Sequence, residues 1–302
     1  MRTKILTFVL MLTGVVSFAQ QDAQFTQYMY NTMNINPAYA GSRGVLSIFG
    51  LHRTQWVGLD GAPVTNVLSA HAPVGGGIGL GLTFLNDRIG PTNENNFTAD
   101  ISYTIPTSET FKLSFGIKGT ANLFSLDRGR LNPQDPEDDN LQQVNNDFSP
   151  NIGAGVYFHS DRFYAGLSVP AFIETTRYSD NDYSINKERI NYYFITGYVF
   201  EFSPSVKFKP ALLTKMTTGA PLQIDVSGNF LINERFVIGA AYRWSAAVSA
   251  MAGFQITDGL FIGYGYDFET TELRHYNSGS HEIFARFELF KRYDRITTPR
   301  FF

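Results

Sequence analysis

An alternation of apolar and polar side chains with a period of two recurs along almost the whole chain. Phe97, Ala99, Ile101, Tyr103 and Ile105 alternate with Thr98, Asp100, Ser102 and Thr104. Ile78, Leu80, Leu82 and Phe84 alternate with Gly77, Gly79, Gly81 and Thr83. The same rhythm returns from Phe111 to Lys118, from Leu222 to Ser227 and from Glu282 to Leu289. Successive side chains of an extended chain point to opposite faces, so each segment has one apolar and one polar face. The pattern predicts about fourteen strands of roughly 9–13 residues. They span 45–56, 63–72, 76–86, 95–105, 110–123, 149–159, 162–170, 189–202, 205–216, 221–231, 234–244, 246–256, 259–268 and 280–290. The first, second and eighth are the least regular; in 189–202 both faces carry apolar residues.

Two kinds of connection alternate between these strands. One set is tight throughout, with Pro106-Thr107-Ser108, Ser160-Asp161, Ser203-Pro204, Asn233 and Thr257-Asp258 at its turns. The other set holds every long connection: Ser125 to Asp147, Ala171 to Lys187 and Glu269 to Ser278. An up-and-down outer-membrane barrel has this asymmetry, with short periplasmic turns and longer outer loops. An even strand number then leaves both termini periplasmic. A soluble β-sandwich would instead hide its apolar face and show Lys and Glu outside. Here the polar face is Gly, Ser, Thr and Asn with scattered charges, and charged residues are 17% of the chain, below the roughly 25% usual in soluble domains. The reading is therefore all-β: a transmembrane antiparallel up-and-down barrel over 45–290. Past the N-terminal leader no run of 18 apolar residues occurs, which excludes a helical membrane protein. The net charge of -3, without a basic run, argues against nucleic acid as a partner.

Residues 1–19 read as a secretory signal peptide: Arg2 and Lys4, an apolar core from Ile5 to Val16, then Ser17-Phe18-Ala19. That core is too short to span a bilayer, and no cysteine follows, so a lipoprotein anchor is not expected. The absence of cysteine also removes disulfides and thiolate metal sites. Residues 20–44 have neither helical nor strand periodicity. The stretch Gln24 to Gly44 is crowded with Asn, Gln, Tyr and Met and has one charge, Arg43. It is expected to be a periplasmic segment that plugs the barrel mouth or docks on a partner. A disordered linker is the alternative, but its few Gly, Ser and Lys residues speak against that. Residues 291–302 form a periplasmic tail with basic residues at Lys291, Arg292, Arg295 and Arg300.

A series of short motifs carries a resemblance. Asn36-Pro37-Ala38-Tyr39-Ala40-Gly41-Ser42 is followed by Arg53-Thr54-Gln55-Trp56 and by Gly61 to Thr65. Asn86 to Pro91 and Phe148 to Phe158 come next, then Gly263-Tyr264-Gly265-Tyr266-Asp267-Phe268, Gly279-Ser280-His281-Glu282-Ile283 and Thr298 to Phe302. In this order, over nearly the whole mature chain, they resemble the PorP/SprF family of type IX secretion outer-membrane proteins of the Bacteroidetes. A soft departure is Lys209-Pro210-Ala211, where a serine after the proline is the family habit. The resemblance implies an outer-membrane barrel that belongs to the secretion machine, or one paired with large secreted adhesins, including those of gliding motility. Its implied partners are type IX secretion components, adhesin cargo and outer-membrane lipid. Candidate docking residues are Asn36, Pro37, Ala38, Tyr39, Gly41, Arg53, Gln55, Trp56, Gly263, Tyr264, Tyr266, Asp267, Ser280, His281 and Glu282.

Several of these residues also fit other motifs. His281 and Glu282 resemble half of a zinc-peptidase motif, but they fall on opposite faces of a strand and no second His follows at helical spacing; Glu282 is expected to pair with Arg286 or a lumen lysine. Arg53 reads as a lumen arginine and Trp56 as an interface tryptophan. Tyr264 and Tyr266 fit an aromatic girdle. The acidic stretch Asn132 to Asn140 lacks the glycine and spacing of an EF-hand and reads as an outer loop. Gly75 to Gly81 resembles a phosphate-binding run, but no helix follows it, and small residues facing a crowded lumen explain it. No nucleophile elbow occurs, and neither an enzyme nor a cofactor is expected. A diffusion channel or hydrophobic-substrate transporter is the other functional reading. Facing assigned by parity predicts that Ile101→Arg blocks assembly while Asp100→Arg is tolerated.

Overall fold

The computed structural model describes residues 25–289 apart from 27, 131–146, 175, 178–185 and 188. It is a closed antiparallel barrel of fourteen strands. In chain order these are β1 (Leu46–Thr54), β2 (Val64–Gly75), β3 (Ile78–Ile89), β4 (Thr92–Pro106), β5 (Lys112–Leu126), β6 (Asp147–His159) and β7 (Phe163–Val169). The circuit continues with β8 (Asn191–Tyr198, resuming at Phe200–Ser203), β9 (Val206–Thr217), β10 (Gln223–Ile232), β11 (Phe236–Arg243), β12 (Ala247–Gln255), β13 (Leu260–Glu269) and β14 (Ser280–Leu289). Each strand pairs with its sequence neighbours. β1 and β14 close the ring in register from Leu46↔Leu289 to Thr54↔His281. Closure leaves no exposed edge, so every backbone amide can find a partner without water.

The apolar rows face outward. Leu82 is 67% exposed, Ile117 62% and Leu167 61%, whereas Asp100, Ser102 and Lys118, of opposite parity, are buried. The two classes of connection also fall on opposite ends. A turn end carries residues 76–77, 107–111, 160–162, 204–205, 233–235 and 256–259; a loop end carries 55–63, 90–91, 127–130, 170–174, 189–190, 218–222, 244–246 and 270–279.

Three details depart from the expected strands. β4 and β5 are 15 residues each and extend past the apolar band, because Asn93, Asn95 and Ser125 continue the ladder with polar side chains. The eighth strand is interrupted at Val199, although its amide donates to Arg162 O (2.8 Å) and so extends the β7 register by one residue. A two-residue ladder, Thr176–Arg177 with Asn186–Lys187, was not foreseen. The acidic stretch 132–140, the leader and the tail 291–302 lie outside the described residues.

Candidate functional site in the plugged lumen

The barrel is not hollow. Residues 28–40 run through its lumen and are buried almost throughout. Phe25 and Thr26 lie at the loop end, among Arg53, Asp267, Glu282 and Arg243. Tyr30 packs lower down, stacked on Phe261 at 5.5 Å and tilted against Phe284 at 4.6 Å. Arg43 reaches Glu288 at the turn end, just before β1 begins. The segment thus lies inside the barrel rather than in front of it.

The plug has almost no regular structure of its own. Its one α-helix, α1, is the single turn Thr32–Ile35, and a 3-10 turn follows at Pro37–Tyr39. A helix this short leaves most of its carbonyls without an internal partner. The wall supplies them. Lys118 Nζ donates to Met33 O (3.1 Å) and Asn34 O (2.7 Å), and Ser168 Oγ to Ile35 O (2.7 Å). Ser102 Oγ donates to Ala40 O (2.7 Å). These polar inward positions therefore serve buried plug carbonyls that would otherwise be orphaned.

The Asn36–Gly41 motif sits against glycines. Asn36 is fully buried; its Oδ1 accepts from Ala38 N (3.0 Å), and its Nδ2 donates to Val156 O of β6 (3.0 Å). A Cβ on Gly116 would strike the backbone of Pro37 and Ala38, and one on Gly79 the carbonyl of Ala40. One on Gly155 would strike the Asn36 amide. Gly41, at φ +71°, lies so close to β3 that a Cβ would come within 2.8 Å of Gly79 Cα. Its amide donates to His71 Nδ1 (3.1 Å). Tyr39 meets His71 and Tyr157 edge-on. The alternating glycines of β3 thus make room for the plug, Gly79 for the Ala40 backbone and Gly81 for the Met33 side chain, as the crowded-lumen reading anticipates.

The other half of the wall grips by charge. The Arg53 guanidinium, 2% exposed, donates from Nη2 to Asp267 (2.6 Å) and from Nη1 to Glu282 (3.2 Å) and the Thr26 hydroxyl (2.8 Å). Thr26 donates its hydroxyl to Asp267 (2.6 Å) and its amide to Glu282 (3.0 Å). Arg243 donates to Asp225 (2.8 Å) and to Phe25 O (3.3 Å). Every strand contributes a buried inward-facing residue: Leu51, Val67, Thr83, Asp100, Lys118, Tyr157 and Tyr164 on one side, Ile195, Leu213, Asn229, Val237, Met251, Phe261 and Phe284 on the other. The lumen is packed with protein.

The family model for the type IX secretion system membrane protein PorP/SprF matches residues 17–287. The chain belongs to this family. Among curated proteins no relative matches. Among solved structures, Acinetobacter baumannii outer membrane protein Omp33 is similar at 8% identity and a TM-score of 0.50, over 81% of this chain and 98% of that one. The CymD monoaromatic hydrocarbon channel matches at 11% identity and a TM-score of 0.48, over 87% and 94%. The likeness to Omp33 is one of fold. Membership and fold together fit an outer-membrane barrel of type IX secretion.

The motif residues of this PorP/SprF barrel converge more than their spacing suggests. Arg53, Asp267 and Glu282 form one cluster with Thr26. Among the described residues Glu282 pairs with Arg53 rather than Arg286, because β1–β14 closure sets Arg53 opposite Glu282. Arg286 instead lies over the Tyr30 and Phe261 rings and 3.9 Å from Glu288. Gln55 takes Pro63 O through its amide. Trp56 is half-buried at the loop end in the left-handed region (φ 45°), where its indole donates to Glu269 (3.2 Å) and its amide to Ser280 Oγ (3.1 Å). It clasps β13 and β14 together. Gly263 and Gly265 face inward; a Cβ on Gly263 would meet Phe284. Tyr264 and Tyr266 face outward, and Tyr264 Oη bonds His281 Nδ1 (2.6 Å). Glu282 and His281 are thus on opposite faces, and no metal-binding cluster occurs among the described residues.

Asp100 faces inward as assigned, but it is 3% exposed and lies 3.7 Å from Lys118, which holds the plug. An arginine there would set two buried cations side by side, so parity alone does not make the position tolerant. The residues that sequence reading passed over are Thr26, Tyr30, Lys118 and Ser168. Their signal was present but diffuse: polar inward side chains opposite a segment without periodicity.

Proposed function

We propose that this protein is a non-enzymatic docking barrel of type IX secretion rather than a conduit. Its turn end and C-terminal tail, on the periplasmic side, meet secretion components. Its outer loops, including 125–147 and 171–187, meet a secreted adhesin-type passenger and help export it or hold it at the surface, as gliding adhesins require. One observation carries the reading against a diffusion channel: the lumen is filled by the chain's own segment 28–40, which contacts both halves of the wall through Lys118 on one side and Phe261 and Phe284 on the other. A porin keeps a water-filled interior, whereas a plugged barrel offers surfaces.

The test joins two measurements on the purified full-length protein. In planar bilayers the expected result is no stable conductance, and in mild-detergent extracts the expected result is co-purification with periplasmic secretion components and a large surface protein. A stable open pore, with no such partners, would overturn the proposal in favour of a transporter.

A further inference from the structure

The outer surface of the barrel is not uniform around its girth. Across β2 to β6 it is indented by a groove of about 650 Å³. The floor is small: Ala70, Ala99, Gly119 and Ala121. The walls are large and exposed, with Leu68, Leu82, Phe97 and Phe148 each 49–67% accessible. The register builds the floor, because Ala99 lies opposite Gly119 and Phe97 opposite Ala121. An apolar furrow with its deepest part over Ala99, Gly119 and Ala121, on a face turned to the bilayer, offers a seat for an acyl chain.

The same outward rows change character toward the loop end. Leu68 gives way to Asn66, Phe84 to Asn86 and Arg88, and Phe97 to Asn95 and Asn93. Here a second concavity of about 550 Å³ is lined by Asn66, Asn86, Asn93, Ser125, Arg88 and Arg130. Its amides are already ordered: Asn86 Nδ2 donates to Asn93 (2.8 Å) and Asn95 (2.9 Å), and His52 bonds Asn66 (2.7 Å). Arg88 is exposed and has no ion-pair partner among the described residues, and Arg130 has only the exposed Asp127, at 3.4 Å. Among the described residues, two guanidinium groups against one carboxylate leave this shelf positive.

We propose that furrow and shelf together bind one acylated, phosphate-bearing glycolipid of the outer leaflet. A chain lies on the Ala99–Gly119–Ala121 floor, and a phosphate is held by Arg88 and Arg130 among the asparagine amides. Guanidinium and phosphate match in charge and in fork geometry. Hydrocarbon is equally apolar in the bilayer and in the furrow, so selectivity comes from close packing on the small-residue floor and from the headgroup. The excess positive charge is what chooses this occupant: a second copy of the chain would bring the same positive shelf, and a neutral phospholipid would bring no net charge to meet it. The loop end faces outward in such barrels, which sets the shelf at outer-leaflet headgroups.

Native mass spectrometry of the full chain from mild detergent, titrated with diphosphorylated lipid A, tests this. Controls are dephosphorylated lipid A and a two-chain phosphatidylglycerol. Gly119→Leu fills the furrow, and since an added Cβ at Gly119 meets nothing within 4 Å, the barrel can accept it. Arg88→Gln removes the exposed cation. The expected result is one lipid A per barrel, weakened at least tenfold by either variant with thermal unfolding unchanged. Arg88→Gln should abolish the preference for the phosphorylated form, while Gly119→Leu should weaken both forms. Equal binding by wild type and both variants would overturn the assignment. So would phosphatidylglycerol binding as tightly as lipid A, or a protein dimer that Gly119→Leu disperses.

Discussion

The two halves of the wall hold the same plug by opposite means. Strands β3 to β7 hold residues 36–41 by the absence of side chains: Gly79 and Gly116 let the plug backbone lie on the wall, and Gly155 and Gly166 leave room for the Asn36 amide. Around the seam, β1 and β11 to β14 hold residues 25–30 by charge and aromatic surface, through Arg53, Asp267, Glu282, Phe261 and Phe284. The first grip is steric and has no adjustable part. The second rests on buried ion pairs, whose desolvation makes them weak as net stabilisers and severe when half removed. A segment seated in one way at one end and differently at the other can loosen at one end alone.

The largest effect is expected at the glycine bed. Gly116→Val drives a side chain into the backbone of Pro37 and Ala38, so heat-modifiable gel mobility should show loss of the folded barrel, or protease should now cut within 28–40. Gly119→Leu, three residues on but facing outward, is the control and should fold normally. If both fold with a protected plug, the steric half of the comparison is broken.

Next comes the charged half. Arg53→Met leaves Asp267 and Glu282 buried without their cation, which should cost about 3–5 kcal/mol by denaturant unfolding in detergent. Replacing the carboxylates as well (Arg53→Met with Asp267→Asn and Glu282→Gln) should recover part of that loss. No recovery would show that Arg53 acts by packing rather than charge. Smaller again is Ile101→Arg, which puts a cation on the lipid face and should cost about 2–4 kcal/mol if near the midplane, seen as reduced assembly in membrane fractions. Asp100→Arg should also impair assembly, through Lys118 and the plug rather than through lipid.

The contrast also explains what the sequence discloses. The outward rows were legible because lipid demands apolar side chains at every second position, as in Phe97 to Ile105. The glycine bed was half legible: Gly79 and Gly81 announced a crowded face, but not what crowded it. The charged cluster was not, because Arg53, Asp267 and Glu282 are far apart in the chain and meet only through β1–β14 closure, a register that no local pattern encodes. A plug was legible in residues 24–40, but its course through the whole lumen was not, for the same reason. Its carbonyls are satisfied by Lys118 and Ser168 rather than by its own helix, so no helical period was needed and none was written.

The mildest prediction separates the two grips most cleanly. Thr26→Val removes the hydroxyl that donates to Asp267 and accepts from Arg53, yet leaves the Arg53–Asp267 and Arg53–Glu282 contacts in place. Hydrogen bonds to charged groups contribute about 1.5–3 kcal/mol, and the surviving ion pairs put this change at the low end. The effect should be local opening, since Asn36 to Gly41 keep every contact with the glycine bed. Hydrogen exchange should therefore quicken at the amides of residues 25–30 and stay unchanged at 36–41. Thr26→Ser, which keeps the hydroxyl, should restore the slow rate. Equal acceleration along the whole plug would mean that it moves as one body, and that the difference between its two seats has no energetic meaning.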